Sequence, residues 1–333
     1  MKALLEQLFD QKKLSREEAK NTLIEISEAK YNDAHLAAFL SVFKMRPISK
    51  EELQGFRDAL LALRKKVDFN GVDSIDIVGT GGDGKNTFNI STLTCFVVAG
   101  AGYKVTKHGN YGVSSVSGSS NVMESLGYQF TNDEAALNQQ LDKANIVFLH
   151  APLFHPAMKA VGPVRKALGL KTFFNMLGPL VNPARPTRSF LGVFNMHLSR
   201  LYHYILQEED KSYAVVYSLD GYDEISLTDA FSIRSNHMDR IFQPEDLGFE
   251  TIAQEALFGG DTVAEAAHIF TSILEGKGTE AQRSAIYANA GMAIQQFDVG
   301  KSIEDCIGEA KESLDAGAAL GCLRRLVDCV SAS

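Results

Sequence analysis

The chain has 333 residues, more than one hydrophobic core usually supports, so a large domain with a smaller companion is expected. Its residues are 45% hydrophobic and 22% charged, and no apolar run approaches the roughly 18 to 20 residues of a membrane span, which points to a soluble protein with no membrane partner. A net charge of −8 argues against a general nucleic-acid-binding surface, because neutralising that backbone takes clustered Lys and Arg, but it leaves room for a local basic site for one small phosphorylated ligand.

The first segment, MKALLEQLFDQKKLSREEAK, carries charges throughout its apolar pattern and reads as a mature helix, not as a signal peptide. Residues 1 to about 66 read as helices joined by short turns, with apolar residues at helical spacing. Ser15 with Glu18 and Ser49 with Glu52 fit the capping box, in which each side chain satisfies the other residue's backbone N–H. The run AHLAAFLSVF at 34–43 is apolar nearly all round and reads as a helix buried in the core, with burial against another subunit as the alternative. From residue 75 the pattern changes to short β-branched runs alternating with helical ones: IDIV at 75–78, YKVT at 103–106, IVFL at 146–149, SFLGVF at 189–194 and YAVVYS at 213–218. Residues 251–330 are again mostly helical. The expected class is therefore α/β, with a small N-terminal all-helical domain, a larger α/β domain around a mainly parallel sheet, and a helical C-terminal part. Cys95, Cys306, Cys322 and Cys329 form no CxxC pair and are too sparse for a disulfide scaffold, as expected of reduced thiols in a cytoplasmic protein.

Ligands of a parallel sheet sit beyond the carboxyl ends of its strands, here the loops after Val78, Thr106, Leu149 and Ser218. The first of these carries Gly79, Gly81, Gly82 and Gly84, and such a loop can present several backbone N–H groups to a phosphate. It is neither of two familiar nucleotide loops. A dinucleotide fingerprint should open directly into a helix and meet an acid about 20 residues later, whereas residues 85–89 prolong the loop and 103–107 hold no acid. A P-loop should end in Lys-Ser or Lys-Thr, whereas Lys85 is followed by Asn86 and Asp83 would lie against the phosphates, which a metal could reconcile. Asn89 and Ser91 are candidate N-caps of the next helix, whose free N–H groups would form an anion site. A second loop, residues 107–110, is expected after the next strand, followed by a hydroxyl-rich tract at 114–120. Together they suggest one anionic ligand gripped from two sides.

GTGGD at 79–83, FNIST at 88–92, KHGN at 107–110 and VSSVSGS at 113–119 resemble the ligand loops of the anthranilate phosphoribosyltransferases. The resemblance covers almost the whole chain, through HPAMK at 155–159, the stretch at 164–184, GYDE at 221–224, LFGG at 257–260 and YANA at 287–290. It implies a homodimer whose subunit has a helical domain at 1–70, joined by helices from about 155–185, and a phosphoribosyl pyrophosphate-binding α/β domain at 71–333. The implied reaction is attack of the anthranilate amine on C1 of phosphoribosyl pyrophosphate. By similarity Gly79, Gly82, Asp83, Thr87, Asn89, Ile90, Ser91, Thr92, Lys107, His108, Gly109, Asn110, Tyr111, Gly112, Val113, Ser114, Ser115 and Ser119 would hold phosphoribosyl pyrophosphate. Ser91, Asp223 and Glu224 would hold Mg2+, with two ions expected. Gly79, Asn110 and Arg165 would contact anthranilate, and His108 and Pro179 would help to shape its pocket. No covalent nucleophile is implied, positioning falling to His108, Asn110 and Arg165.

The chain departs from the family's pattern at Tyr111, where Arg is common, at Val116, where Lys is common, and at Ser120-Asn121, where Ala-Asp is common. Two other readings compete. Pyrimidine nucleoside phosphorylases share similar loops but typically carry a further C-terminal domain, and a non-catalytic relative would bind nucleic acid or a regulator.

Overall fold

Helical periodicity gives way to β-branched runs after residue 70, and the computed structural model, which describes residues 1–112 and 116–331, shows the same change. The order begins α1 (Lys2–Phe9), α2 (Arg16–Ser27), α3 (Asp33–Met45), α4 (Lys50–Leu63), β1 (Ser74–Gly79), α5 (Ile90–Gly100) and β2 (Lys104–Gly109). It continues with α6 (Ser119–Ser125), α7 (Glu134–Ala144), β3 (Ile146–His150), α8 (Ala151–Phe154), α9 (Gly162–Leu168), β4 (Arg188–Gly192) and α10 (Met196–Leu206). It ends with β5 (Ser212–Ser218), β6 (Phe231–Ser235), β7 (Asp239–Phe242), α11 (Val263–Leu274), α12 (Glu280–Ile294), α13 (Ile303–Asp315) and α14 (Ala318–Ser331). The chain divides into two compact units, Met1–Val67 with Ala151–Pro183, and Asp68–His150 with Ala184–Ser333. No helix among the described residues is long and apolar enough to cross a membrane.

The first unit is helical. Both expected capping boxes form, with the Glu18 N–H donating to Ser15 Oγ at 3.2 Å and the Glu52 N–H to Ser49 Oγ at 3.2 Å. Helix α3 buries Leu36, Phe39, Leu40, Val42 and Phe43, so the apolar run is core. Phe39, Phe43, Phe56 and Phe173 pack edge to face, while Phe173 lies stacked between Phe56 at 4.3 Å and Phe174 at 4.5 Å. Each fully buried Phe contributes roughly 2 kcal/mol by leaving water, and aromatic pairing adds to that. Glu52 is fully buried because it is also paired, accepting from the Leu14 N–H at 3.0 Å and from Arg46 Nη1 at 2.9 Å.

The second unit is built on a seven-stranded sheet in the order β3-β2-β1-β4-β5-β6-β7. The pairs from β3 through β5 are parallel, and β6 and β7 add an antiparallel edge that the sequence reading did not resolve. Every residue of β3 is buried, as expected of a parallel strand covered on both faces. Helix α5 is buried nearly throughout and packs on β1, β2, α12, α13 and α14, so the C-terminal helices complete the core. The order reverses at β1: the chain first builds outward through β2 and β3, then returns to lay β4 on the other side of β1. That reversal is the topological switch point where open α/β sheets bind ligands.

Candidate active site

Gly79 and Gly192 face each other as the last paired residues of β1 and β4, at the carboxyl end of the switch point. Both must lack a side chain. A methyl on Gly79 would stand 2.8 Å from Cγ of Asp223, and one on Gly192 would stand 2.6 Å from the Asp223 carbonyl carbon. The loop after β5 therefore lays Asp223 directly over the two strand ends. There Asp223 Oδ2 accepts the Gly81 N–H at 2.6 Å, and Glu224 Oε1 accepts the Ser91 N–H at 2.9 Å in the first turn of α5. Ser218 Oγ donates to the Glu224 carbonyl at 2.6 Å, which fixes the bend between the two acids and the strand.

Burial, and then the negative charge of Asp83, push the Asp223 carboxyl well above its usual range; burial, and then Asp223, do the same to Glu224. Two N–H donors and the distant charge of Lys107 offset this only in part. Such a set suits a hard cation, which is the cheapest compensation for crowded buried carboxylates. Among the described residues no group of three or more His, Cys, Asp or Glu could hold a metal. The pair fits Mg2+ better than a cage-bound ion, since Mg2+ usually takes one or two carboxylates and completes its shell with water and phosphate oxygens.

The glycine loop spans residues 80–89. Gly81 and Gly82 take positive φ of 64° and 81°, a turn that side chains disfavour. Lys85 donates its N–H to Asp83 Oδ1 at 3.1 Å and lays its ammonium over the Tyr222 ring at 4.4 Å. The far part is held by the LFGG segment: the Phe88 N–H donates to the Leu257 carbonyl at 2.9 Å, the Gly259 N–H to the Asn86 carbonyl at 2.8 Å, and Thr87 bridges Phe258. Asn89 occupies the N-cap of α5, but its side chain does not cap; its amide donates instead to the Ser117 carbonyl at 3.1 Å, tying the first loop to the second. Ser91 lies inside the first turn and so is not a cap, while Ile90 and Thr92 beside it are buried.

The second loop begins later than expected. Lys107, His108 and Gly109 are strand residues, paired with Phe148, Leu149 and His150 of β3, because β3 offers them a ladder that a single-sequence reading cannot see. Lys107 is fully buried with Nζ on the Ile77 carbonyl at 2.6 Å, and the His108 N–H donates to Asp76 Oδ1 at 3.1 Å. Asn110 follows, and its carbonyl accepts from Ser119 Oγ at 3.2 Å. Tyr111 OH donates to Glu124 Oε1 at 2.7 Å and its ring meets His150 edge-on at 4.8 Å; the Gly112 N–H donates to Asn121 Oδ1 at 3.0 Å. Thus Tyr111 and Asn121 anchor this loop. Val113, Ser114 and Ser115 lie outside the described residues.

Arg165, Pro179 and His155 belong to the helical unit. Arg165 on α9 sets its guanidinium over Phe174 at 5.2 Å, and Nη2 reaches Asn175 Oδ1 at 3.5 Å. Among the described residues no carboxylate pairs with it, and burial disfavours its charge. Half-buried, planar and short of an anion, it is equipped to receive a ligand carboxylate. Pro179 is buried in the turn Gly178–Leu180. His155 caps Pro156–Lys159 in the core, where burial lowers its pKa to about 4 against backbone hydrogen bonds with Val181 and Leu60.

Several residues of the site escaped the sequence reading. Gly192 had a usable signal, a glycine inside a strand pattern, which marks a close backbone approach. Asp76 and Ser218 had none, because a strand Asp and a strand Ser are distinguished only by what the fold brings to them.

Residues 71–320 match the glycosyl transferase family, a/b domain, and residues 2–63 match the glycosyl transferase family, helical bundle domain. The anthranilate phosphoribosyltransferase of Cytophaga hutchinsonii is 55% identical over 98% of this chain and 100% of its own length, and that of Phocaeicola vulgatus is 53% identical over 98% and 99%. The anthranilate phosphoribosyltransferase of Thermus thermophilus superposes with a TM-score of 0.91 at 30% identity, covering 98% of this chain and 99% of its own. That of Saccharomyces cerevisiae in complex with PRPP and Mg superposes with a TM-score of 0.91 at 26% identity, covering 99% and 97%.

Proposed function

The chain belongs to the anthranilate phosphoribosyltransferase family, and from that premise we propose how its own residues carry the reaction. It transfers the phosphoribosyl group of 5-phosphoribosyl 1-pyrophosphate to the amine of anthranilate, giving N-(5-phosphoribosyl)anthranilate and pyrophosphate in tryptophan biosynthesis. Neither the phosphorylase nor the non-catalytic reading is favoured by these relatives.

The observation that carries the residue assignment is the seating of Asp223 and Glu224 on the Gly81 and Ser91 N–H groups. A distant acid pair thereby meets both the glycine loop and the N-terminus of α5. The reaction depends on Mg2+, and we assign two ions, with Ser91, Asp223 and Glu224 as protein ligands. Bound Mg2+ would neutralise pyrophosphate and so make it a leaving group. The glycine loop and the first turn of α5, with Gly79, Gly82, Asp83, Thr87 and residues 89–92, hold phosphoribosyl pyrophosphate on one side, and residues 108–112 with Ser119 hold it on the other. Lys107 acts from behind, its buried charge balancing the acids.

The anthranilate amine is unprotonated near neutral pH and needs no covalent intermediary, so catalysis reduces to orientation and electrostatics. Arg165 grips the ring carboxylate as a planar fork, its plane held by Phe174 and Asn175. By the family likeness, Gly79, His108 and Asn110 of the α/β unit and Pro179 of the helical unit each contribute to binding anthranilate. We further infer a homodimer, from the family likeness, and a cytoplasmic location, which suits the unpaired buried thiols of Cys95, Cys306 and Cys322.

Anthranilate fluorescence tests the assignment. With both substrates and Mg2+ the signal should decay, and the double variant Asp223→Asn, Glu224→Gln should slow that decay by about two orders of magnitude or more at fixed Mg2+. A double variant that turns over at the parental rate would remove the acid pair from the mechanism.

A further inference from the structure

We propose that Asn289, in the middle of α12, is a positioning residue for the cation site: its amide fixes the backbone that carries Asp223 and Glu224 and thereby sets the Mg2+ affinity without touching either substrate. The inference rests on the reading that this acid pair holds the metal.

Asn289 is 2% exposed, between the fully buried Ala288 and Ala290, in a helix whose other buried residues are apolar apart from the Tyr287 hydroxyl, which donates to Asp315 Oδ1 at 3.0 Å. A polar side chain is costly there unless every polar atom is paired. Here every one is. Oδ1 accepts the Ile225 N–H at 3.0 Å, while Nδ2 donates to the Ile225 carbonyl at 2.8 Å and to the Ala285 carbonyl at 2.8 Å. Two opposed bonds to one residue's backbone do what a neighbouring strand would do, in a segment, residues 219–230, that forms no strand itself. Ile225 directly follows Glu224 and is itself fully buried, so the clamp sits one peptide away from the carboxylate. On the other side Asp223 rests on Gly79 and Gly192, and Ser218 Oγ holds the Glu224 carbonyl at 2.6 Å. The dipeptide is thus pinned from the sheet below and from α12. Only an amide both accepts and donates at this geometry: Leu keeps the volume without polar atoms, and Asp keeps the acceptor without the donor.

A residue that merely filled the core would lower stability and leave metal affinity alone. A positioning residue moves metal affinity in protein that is still folded, because supporting groups of a metal site typically carry about 10- to 100-fold in affinity. The test uses Asn289→Leu and Asn289→Asp in the full chain, with near-ultraviolet circular dichroism to show that each is folded. Enzyme-bound Mn2+ is followed by water-proton relaxation with phosphoribosyl pyrophosphate present and anthranilate omitted, so that nothing turns over. We expect half-saturation at about tenfold higher Mn2+ or more in Asn289→Leu, less in Asn289→Asp, with the KM for anthranilate unchanged. If the Leu variant does not fold, the Asp variant decides, and a shift of less than twofold in it overturns the proposal. Folded variants with parental Mn2+ affinity and a uniformly lower kcat also overturn it. The Asp223→Asn, Glu224→Gln variant run alongside separates the two readings: if it retains Mn2+ binding, the acid pair is not the metal site, whereas if it loses Mn2+ and the Asn289 variants do not, only the role of Asn289 falls.

Discussion

Replacing Gly192 by alanine should damage the site far more than the fold. The new methyl would stand 2.6 Å from the carbonyl carbon of Asp223 and 3.4 Å from the Gly79 Cα. Carbon atoms rest at about 3.5 to 4.0 Å, and the Asp223 carbonyl oxygen would lie nearer still, so one side must yield by at least about 1 Å. Strand β4 cannot, being paired along its length with β1 on one side and β5 on the other. The loop bearing Asp223 must, and it carries with it the carboxylate that Gly81 holds at 2.6 Å. Overpacking of this kind costs about 1 to 3 kcal/mol of stability. A ligand displaced by about 1 Å costs on the order of 100-fold in rate. Urea unfolding and Mg2+-dependent loss of anthranilate fluorescence, measured on one preparation, give both quantities. An alanine variant with parental kcat/KM, whatever its stability, would refute the placement of Asp223 over the strand ends.

Arg165→Lys keeps the charge but loses the fork and the stacking on Phe174. The KM for anthranilate should rise about tenfold, the loss of roughly one charge-assisted hydrogen bond, with the KM for phosphoribosyl pyrophosphate unchanged; a rise in the latter alone would contradict the assignment. His155 offers a stability test. Its pKa falls from 6.5 in the unfolded chain to about 4 in the fold, so between these values the unfolded chain binds the extra proton and stability declines as pH falls. That contribution is fully present above about pH 6.5 and amounts to about 3 kcal/mol lost by pH 4. His155→Gln should remove this part of the acid destabilisation, and an unchanged pH slope in urea unfolding would show that the buried imidazole is not its source.

What the sequence disclosed depended on how local the cause was. Strands β1, β2, β3, β4 and β5 were legible from β-branched runs, and the caps at Ser15 and Ser49 from a four-residue pattern, because neighbours in the chain decide both. The antiparallel edge was not, since DRIF of β7 is short and half polar, and only pairing with β6 makes it a strand. The same reason misplaced the start of the second loop: Lys107 and His108 look like surface residues until β3 is laid beside them. Asn89 carried a correct local signal for its N-cap position, yet Ser117 competes for its side chain. For Gly192 and Asn289 the decisive partners are Asp223 and Ile225, and no local pattern contains them.

The LFGG clamp on the glycine loop also governs when a nascent chain can acquire its site. Asn86 meets Gly260 across 174 residues, Gly81 meets Asp223 across 142, and Ser91 meets Glu224 across 133. A ribosome that has released the chain only through β4 has made four of the five parallel strands and the whole glycine loop, but neither the acids nor the clamp. Closures of that span are paid in chain entropy before any contact rewards them, so they come late in folding. A growing or truncated chain that stops short of LFGG therefore lacks the grip on its glycine loop, and the C-terminal helices that complete the core follow later still.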